Sequence, residues 1–242
     1  VGTLYGSNSV IAGCYYDGSI NYADNRSPVR AGGLAGDLQD SGNLQNCAAS
    51  VDINVRGGKP AYQYSIWQNC AGGAAGYSSG VVNNVSVTGS IALYASDDKY
   101  NVSVGGLVGL NDYNGSMSYA ENSCSSCKVS ARSQSSGNIY AGSLVGYNEY
   151  NSYNPKGGSA MILNNRWVKG AGVPVILAGN WNAISNDYLG NSIASNDAVS
   201  SSAELPSVAV IVPSVLRLVE NKSFKLHAAV SPVTACNTDT VT

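Results

Sequence analysis

Three observations in this 242-residue sequence predict an all-β fold built from repeats. A Gly-rich apolar motif recurs four times, and an Asn-centred stretch travels with it at a near-constant interval. Apolar residues alternate with a period of two rather than 3.6. The first motif reads "AGGLAGDL" at 31–38, "AGGAAGYS" at 71–78, "VGGLVGLN" at 104–111 and "AGSLVGYN" at 141–148. Gly weakens helices and strand interiors alike, so a repeated Gly-apolar-apolar-Gly run marks places where backbones pass close together. The second glycine falls at Gly33, Gly73 and Gly106, with Ser143 in the fourth copy, at steps of 40, 33 and 37 residues. Unequal steps imply a fixed unit joined by loops of different length.

The second landmark is "SVIAGCYYDGSI" (9–20), "NLQNCAASVDI" (43–53), "VVNNVSVTGSI" (81–91) and "YAENSCSSCKV" (119–129). Asn46, Asn84 and Asn122 recur every 38 residues, and "MILNNRWVKGAGVPV" (161–175) reads as a degenerate fifth copy, an end cap, with Asn165 in the same place. Each unit is therefore predicted to be a short strand, a polar loop, a short Gly-rich strand, an Asn/Ser/Gly turn and a third short strand. Leu34, Ala74, Leu107 and Leu144 are expected to stack inward. The predicted architecture is a parallel β-helix-like solenoid of about four to five coils. An antiparallel β-sheet arrangement of the same repeats is the alternative.

The runs GGLAG, GGAAG, GGLVG and GSLVG, each followed by a turn and an Asn-centred strand, resemble GLUG repeats over residues 9–175. Ala74 and Ser143 depart from the pattern, so those rungs are expected to pack less regularly. The resemblance implies a non-catalytic part of a large bacterial surface protein, adhesin-like or associated with an immunoglobulin A peptidase. After Asp197 comes a small-residue linker, and then a segment whose V-P-S-x-L-x-L-x-E-N-x-S pattern from Val212 resembles the opening of a group-two bacterial immunoglobulin-like domain. Its two alternating strands flank a "VENKS" turn. The predicted organisation is a repeat domain at 1–196, a linker at 197–204 and an incomplete immunoglobulin-like module at 205–242, since a full sandwich takes roughly 100 residues.

Composition excludes several functions. Thirteen Lys and Arg against 15 Asp and Glu, a net charge of -2 and a pI near 5.3 leave no basic footprint for a nucleic acid. No apolar stretch of about 18 residues and no charged-then-apolar leader occurs, so no membrane insertion is expected, and any export signal is expected to be removed or to lie outside these residues. His227 is the only histidine and lies in alternation with apolar neighbours, which reads as a strand residue rather than a catalytic base. The zinc-peptidase signature H-E-x-x-H is absent. "CSSC" at 124–127 has no second C-x-x-C and no nearby His, so neither zinc nor redox chemistry is expected there. Cys14 and Cys47 occupy equivalent positions in adjacent units; small apolar filling is the default reading, and a bridge is the alternative if those units stack within reach.

Asp97, Asp98 and Asp112, with Asp37 and Asp40 earlier, are the carboxylates on which a carbohydrate-active enzyme would rely. Solvated loop tips are the plainer reading. Sixteen Tyr against one Phe are the better clue, because Tyr combines amphipathic area with low conformational entropy. Tyr94, Tyr100, Tyr113, Tyr147, Tyr150 and Tyr153 flank the Gly-rich strands, and "YNEYNSYNPKGG" (147–158) is the densest case. The expected ligand-binding residues are Tyr147, Tyr150, Tyr153, Tyr113 and Tyr100, without metal or cofactor. The expected function is a non-enzymatic, extracellular adhesin-like or stalk module of a bacterial cell surface, binding a glycan or host surface protein beside other domains of a larger protein. A purely structural spacer is the remaining alternative.

Overall fold

A computed structural model describes residues 2–6, 8–24, 26–58, 69–96, 102–112, 118–133, 139–148, 150–151, 158–159, 161–163, 165–168, 175–176, 193–194, 197–199, 208–212 and 227–231; beyond residue 148 only Asn165 has its side chain described. These residues are all-β, with no helix among them. The first unit holds β1 (Thr3–Tyr5), β2 (Val10–Ala12) and β3 (Tyr15–Ala23). The second holds β4 (Arg30–Gly32), β5 (Ala35–Gln39) and β6 (Asn43–Gly57), and the third β7 (Asn69–Gly72), β8 (Ala75–Ser78) and β9 (Val81–Ala95). The fourth holds β10 (Val102–Gly105), β11 (Val108–Asn111), β12 (Tyr119–Glu121), β13 (Cys124–Ser125) and β14 (Lys128–Ser133). Then follow β15 (Ile139–Gly142), β16 (Val145–Asn148), β17 (Tyr150–Asn151), β18 (Gly158–Ser159), β19 (Met161–Leu163), β20 (Arg166–Val168), β21 (Val175–Ile176), β22 (Ile193–Ala194), β23 (Asp197–Val199), β24 (Val208–Val212) and β25 (His227–Ser231).

Strands of successive units pair in parallel, each with its counterpart one unit on, and form three sheets. The first Gly-rich strands give β15-β10-β7-β4, the second give β1-β5-β8-β11-β16, and the Asn-centred strands form the largest sheet around β6 and β9. This is compatible with β-helix-like winding and not with the antiparallel alternative; among the described residues antiparallel pairing is confined to β17–β18 and β24–β25. The segments 24–29, 58–68, 96–101 and 134–138 join the Asn-centred strand to the next Gly-rich strand; the longer 58–68 accounts for most of the step of 40 against 33, and the longer connection 112–118 between β11 and β12 for the step of 37.

The glycines stand where two sheets meet. β7 and β8 are joined through Gly73 and Ala74 alone, so their sheets touch through backbone. A Cβ on Gly76 would lie 2.6 Å from the Ala31 nitrogen and 2.7 Å from the Gly36 oxygen; one on Gly73 would lie 2.3 Å from Val87 Cγ1 in the third sheet. Leu34, Ala74, Leu107 and Leu144 are all buried, as their position in the motif predicts. With Val51, Val87, Ile53, Ile91 and Val129 they fill the core enclosed by the three sheets.

The Asn-centred strands are longer than expected because the Asn bends the strand without ending it. Asn46, Asn84 and Asn122 have φ of 52°, 53° and 51°, and Gly13 takes the same place in the first unit with φ of 61°. Asn tolerates this left-handed backbone better than most residues. Its side chains also reach between units as a short ladder, Asn84 Nδ2 donating to Asn46 Oδ1 at 2.7 Å and Asn122 Nδ2 to the neighbouring Asn83 Oδ1 at 3.4 Å. The sequence alignment of Asn165 with these residues is one position off: Glu121 pairs with Leu163, which sets Asn165 opposite Ser123. Asn165 is buried there, its Oδ1 accepting the Ser123 N–H at 2.9 Å and its Nδ2 donating to the Ala120 carbonyl at 2.7 Å. Ser123 Oγ likewise accepts the Val85 N–H at 3.0 Å, so this column satisfies amides turned aside by the bend.

Candidate functional site

Of the expected tyrosine site, Tyr147 and Tyr150 fall among the described residues. Tyr147 lies on β16 rather than in a loop, half-buried, its ring tilted against Tyr140 with centroids 4.6 Å apart. It ends a column along the sheet, Asp37–Tyr77–Leu110–Tyr147, which runs beside a second column, Arg30–Cys70–Ser103–Tyr140, seven residues earlier in each unit. Tyr147 therefore belongs to a structural seam just beyond the glycine contact. Tyr150 forms the short antiparallel pair β17–β18 opposite Ser159, while Tyr100, Tyr113 and Tyr153 lie outside the described residues.

The same seam absorbs two of the candidate carboxylates. Asp37 is ion-paired to Arg30 at 2.6 Å, with both side chains about nine-tenths buried, and accepts from Gln39 Nε2 at 2.7 Å. The Arg30 guanidinium stands 3.8 Å from the Tyr77 ring centroid, and the Tyr77 hydroxyl donates to buried Asp112. Burial, and then the Asp112 carboxylate, raise the Tyr77 phenol above its ordinary value, so it stays a donor. Asp37 and Asp112 are thus engaged in a buried polar chain. Asp40 stands in the turn after β5 with a left-handed φ of 48°, and Asp97 and Asp98 lie outside the described residues.

The five described cysteines are thiols. Cys14 and Cys47 do stack, the Cys14 N–H reaching Cys47 Sγ at 3.5 Å, without a bridge. Burial pushes the Cys70 and Cys127 thiols up to about 12 and raises that of Cys47. Buried neutral thiols of this kind are poor nucleophiles and poor ligands until deprotonated. No cluster of metal-ligating side chains occurs among the described residues.

A different site emerges on the outer face of the third sheet, near the ends of its long strands. Register aligns Arg56 on β6, Tyr94 on β9 and Arg132 on β14 on successive strands. Both guanidinium carbons lie over the Tyr94 ring, that of Arg56 at 4.5 Å and that of Arg132 at 5.3 Å from its centroid. Asn54, Ala92 and Ser130 form the floor of the adjoining cleft, about 360 Å³. A second hollow of about 460 Å³ continues past Tyr94 to Asn21 and Tyr22. Neither guanidinium has a carboxylate partner among the described residues, and Arg56 Nε is buried without an acceptor. Among the described acids of β6 and of the turn after β3, Asp52 accepts from Ser90 Oγ at 2.6 Å, and Asp24 accepts the Arg26 N–H at 2.8 Å and the Tyr22 hydroxyl at 3.3 Å.

No family model, curated protein or solved structure matches this chain. The site therefore rests on its own geometry. It offers cationic, planar, multi-donor groups on a flat polar sheet face, an arrangement suited to binding. Sequence reading placed Tyr94 among the loop tyrosines and passed over its partners, although Arg56 and Arg132 stand 38 residues on either side of it, the interval of Asn46, Asn84 and Asn122.

Proposed function

We propose that this chain is a non-enzymatic binding module of a bacterial surface protein, a GLUG-type, β-helix-like solenoid whose stacked units present one outer face to a glycan or host protein. The observation that carries the reading is the Arg56–Tyr94–Arg132 ladder, two guanidinium groups without carboxylate partners among the described residues, held on a sheet face beside a cleft. Guanidinium groups on a rigid sheet face, without a carboxylate partner among the described residues, are placed to offer paired donors to a ligand. The parallel pairing between units and the engagement of Asp37 and Asp112 in structural bonds support a scaffold rather than a pair of catalytic carboxylates. An extracellular location, companion domains and an immunoglobulin-like stalk after residue 204 belong to the same proposal.

The test is a binding screen of the full chain against immobilised glycans and matrix proteins. Arg56→Gln/Arg132→Gln is compared with Tyr147→Ala/Tyr150→Ala/Tyr153→Ala. Saturable binding lost in the arginine variant supports this face; loss only in the tyrosine variant moves the site to residues 147–158. No binding to either class leaves a structural spacer.

A further inference from the structure

Resting on that reading, we infer that the ligand of the Arg56–Tyr94–Arg132 face is an acidic polysaccharide laid across the strands, its anionic groups held by the two guanidinium forks. Arg56 and Arg132 sit on strands flanking β9, two strand spacings apart, about 9 to 10 Å. That separation is fixed by backbone hydrogen bonding, so the face favours a ligand whose charges repeat along a chain over a single small anion. Guanidinium recognises carboxylate or sulfate through paired N–H donors, which a point charge such as Lys does not reproduce.

The surroundings fit sugar. Asn54 and Ser130 line the floor with short polar side chains, Ala92 lies between them in register, and none projects far enough to obstruct a ring lying flat. A single-stranded nucleic acid would need an open aromatic face for base stacking. Tyr94 has none to spare, because its ring carries an arginine from each neighbouring strand. Lys128, exposed on β14 two alternate positions before Arg132, extends the basic character of the face.

The experiment is titration of the full chain with polygalacturonate, heparin, neutral dextran and oligo(dT), at low and high salt. Arg56→Gln/Arg132→Gln is measured beside Arg56→Lys/Arg132→Lys and Lys128→Gln, with circular dichroism checking that each variant is folded. The expected result is binding to polygalacturonate or heparin, weakened by salt, and reduced about tenfold for each guanidinium removed. The Lys pair is expected to fall between wild type and the Gln pair, and Lys128→Gln to lose less than either. Unchanged affinity in the folded Gln pair, or tighter binding of oligo(dT), overturns the inference. Binding confined to dextran, or to a matrix protein in the screen above, overturns it while leaving the binding module standing; no binding to any probe in either experiment overturns both.

Discussion

Asn84 shows how much a single side chain decides. Its φ of 53° costs an ordinary L-residue about 1 to 2 kcal/mol, and its amide donates to Asn46 along the ladder. Asn84→Ala is expected to destabilise by about 2 kcal/mol, and Asn84→Gly by about half as much because glycine keeps the backbone while losing the ladder. Urea unfolding of the two variants measures the difference; an equal loss would assign the whole effect to the hydrogen bond. Thiols make a second prediction. Cys70 and Cys127 ionise near pH 12 in the folded chain but near 9 when unfolded, so above pH 9 the unfolded state binds fewer protons and stability falls with rising pH. The urea midpoint at pH 10.5 should lie below that at pH 8. At pH 8, alkylation of the native protein should reach exposed Cys14 before Cys47, Cys70, Cys124 or Cys127, as peptide mapping would reveal.

Between elements, the decisive contact is backbone against backbone. A Cβ on Gly76 meets three atoms of β4 and β5 below 3 Å, all of them main chain and none able to rotate away. Gly76→Ala should therefore cost about 3 kcal/mol or more, the upper range of overpacking. Gly2→Ala, with nothing within 4 Å of the added methyl, should be nearly silent. Thermal unfolding of both variants separates this steric account from a general effect of added side chains. The seam beyond the glycines tolerates variety because each unit fills it differently: an ion pair in the second, Cys70 with Tyr77 in the third, two tilted tyrosines at Tyr140 and Tyr147.

Over the whole molecule, strand partners lie one unit apart in sequence, as with the 38 residues between Asn46 and Asn84. Each pairing must close a loop before its hydrogen bonds form, which slows folding. Refolding after dilution from urea is expected on the millisecond-to-second scale or slower; stopped-flow traces complete within microseconds would contradict that. Tyr5, Val10 and Tyr22 of the first unit are exposed, whereas β7 and β8 of the third, each paired with a unit on either side, are buried throughout, because a strand with neighbours on both sides is covered by them.

The sequence by itself determined the strand character, the unit and the inward leucines, because period-two alternation and a repeated Gly-Gly-Leu turn are local properties that each segment carries alone. It also held the Asn bend, since a left-handed residue in mid-strand selects Asn or Gly wherever it occurs. The repeats favoured parallel pairing over the antiparallel alternative, and the register between units is parallel; the one-residue offset of Asn165 and the seam that includes Tyr147 came only from tertiary structure. So did the Arg56–Tyr94–Arg132 ladder, whose 38-residue spacing acquires meaning once register sets those residues on neighbouring strands. Register is a property of two chain segments together, and a one-position slip reverses the face to which every side chain points.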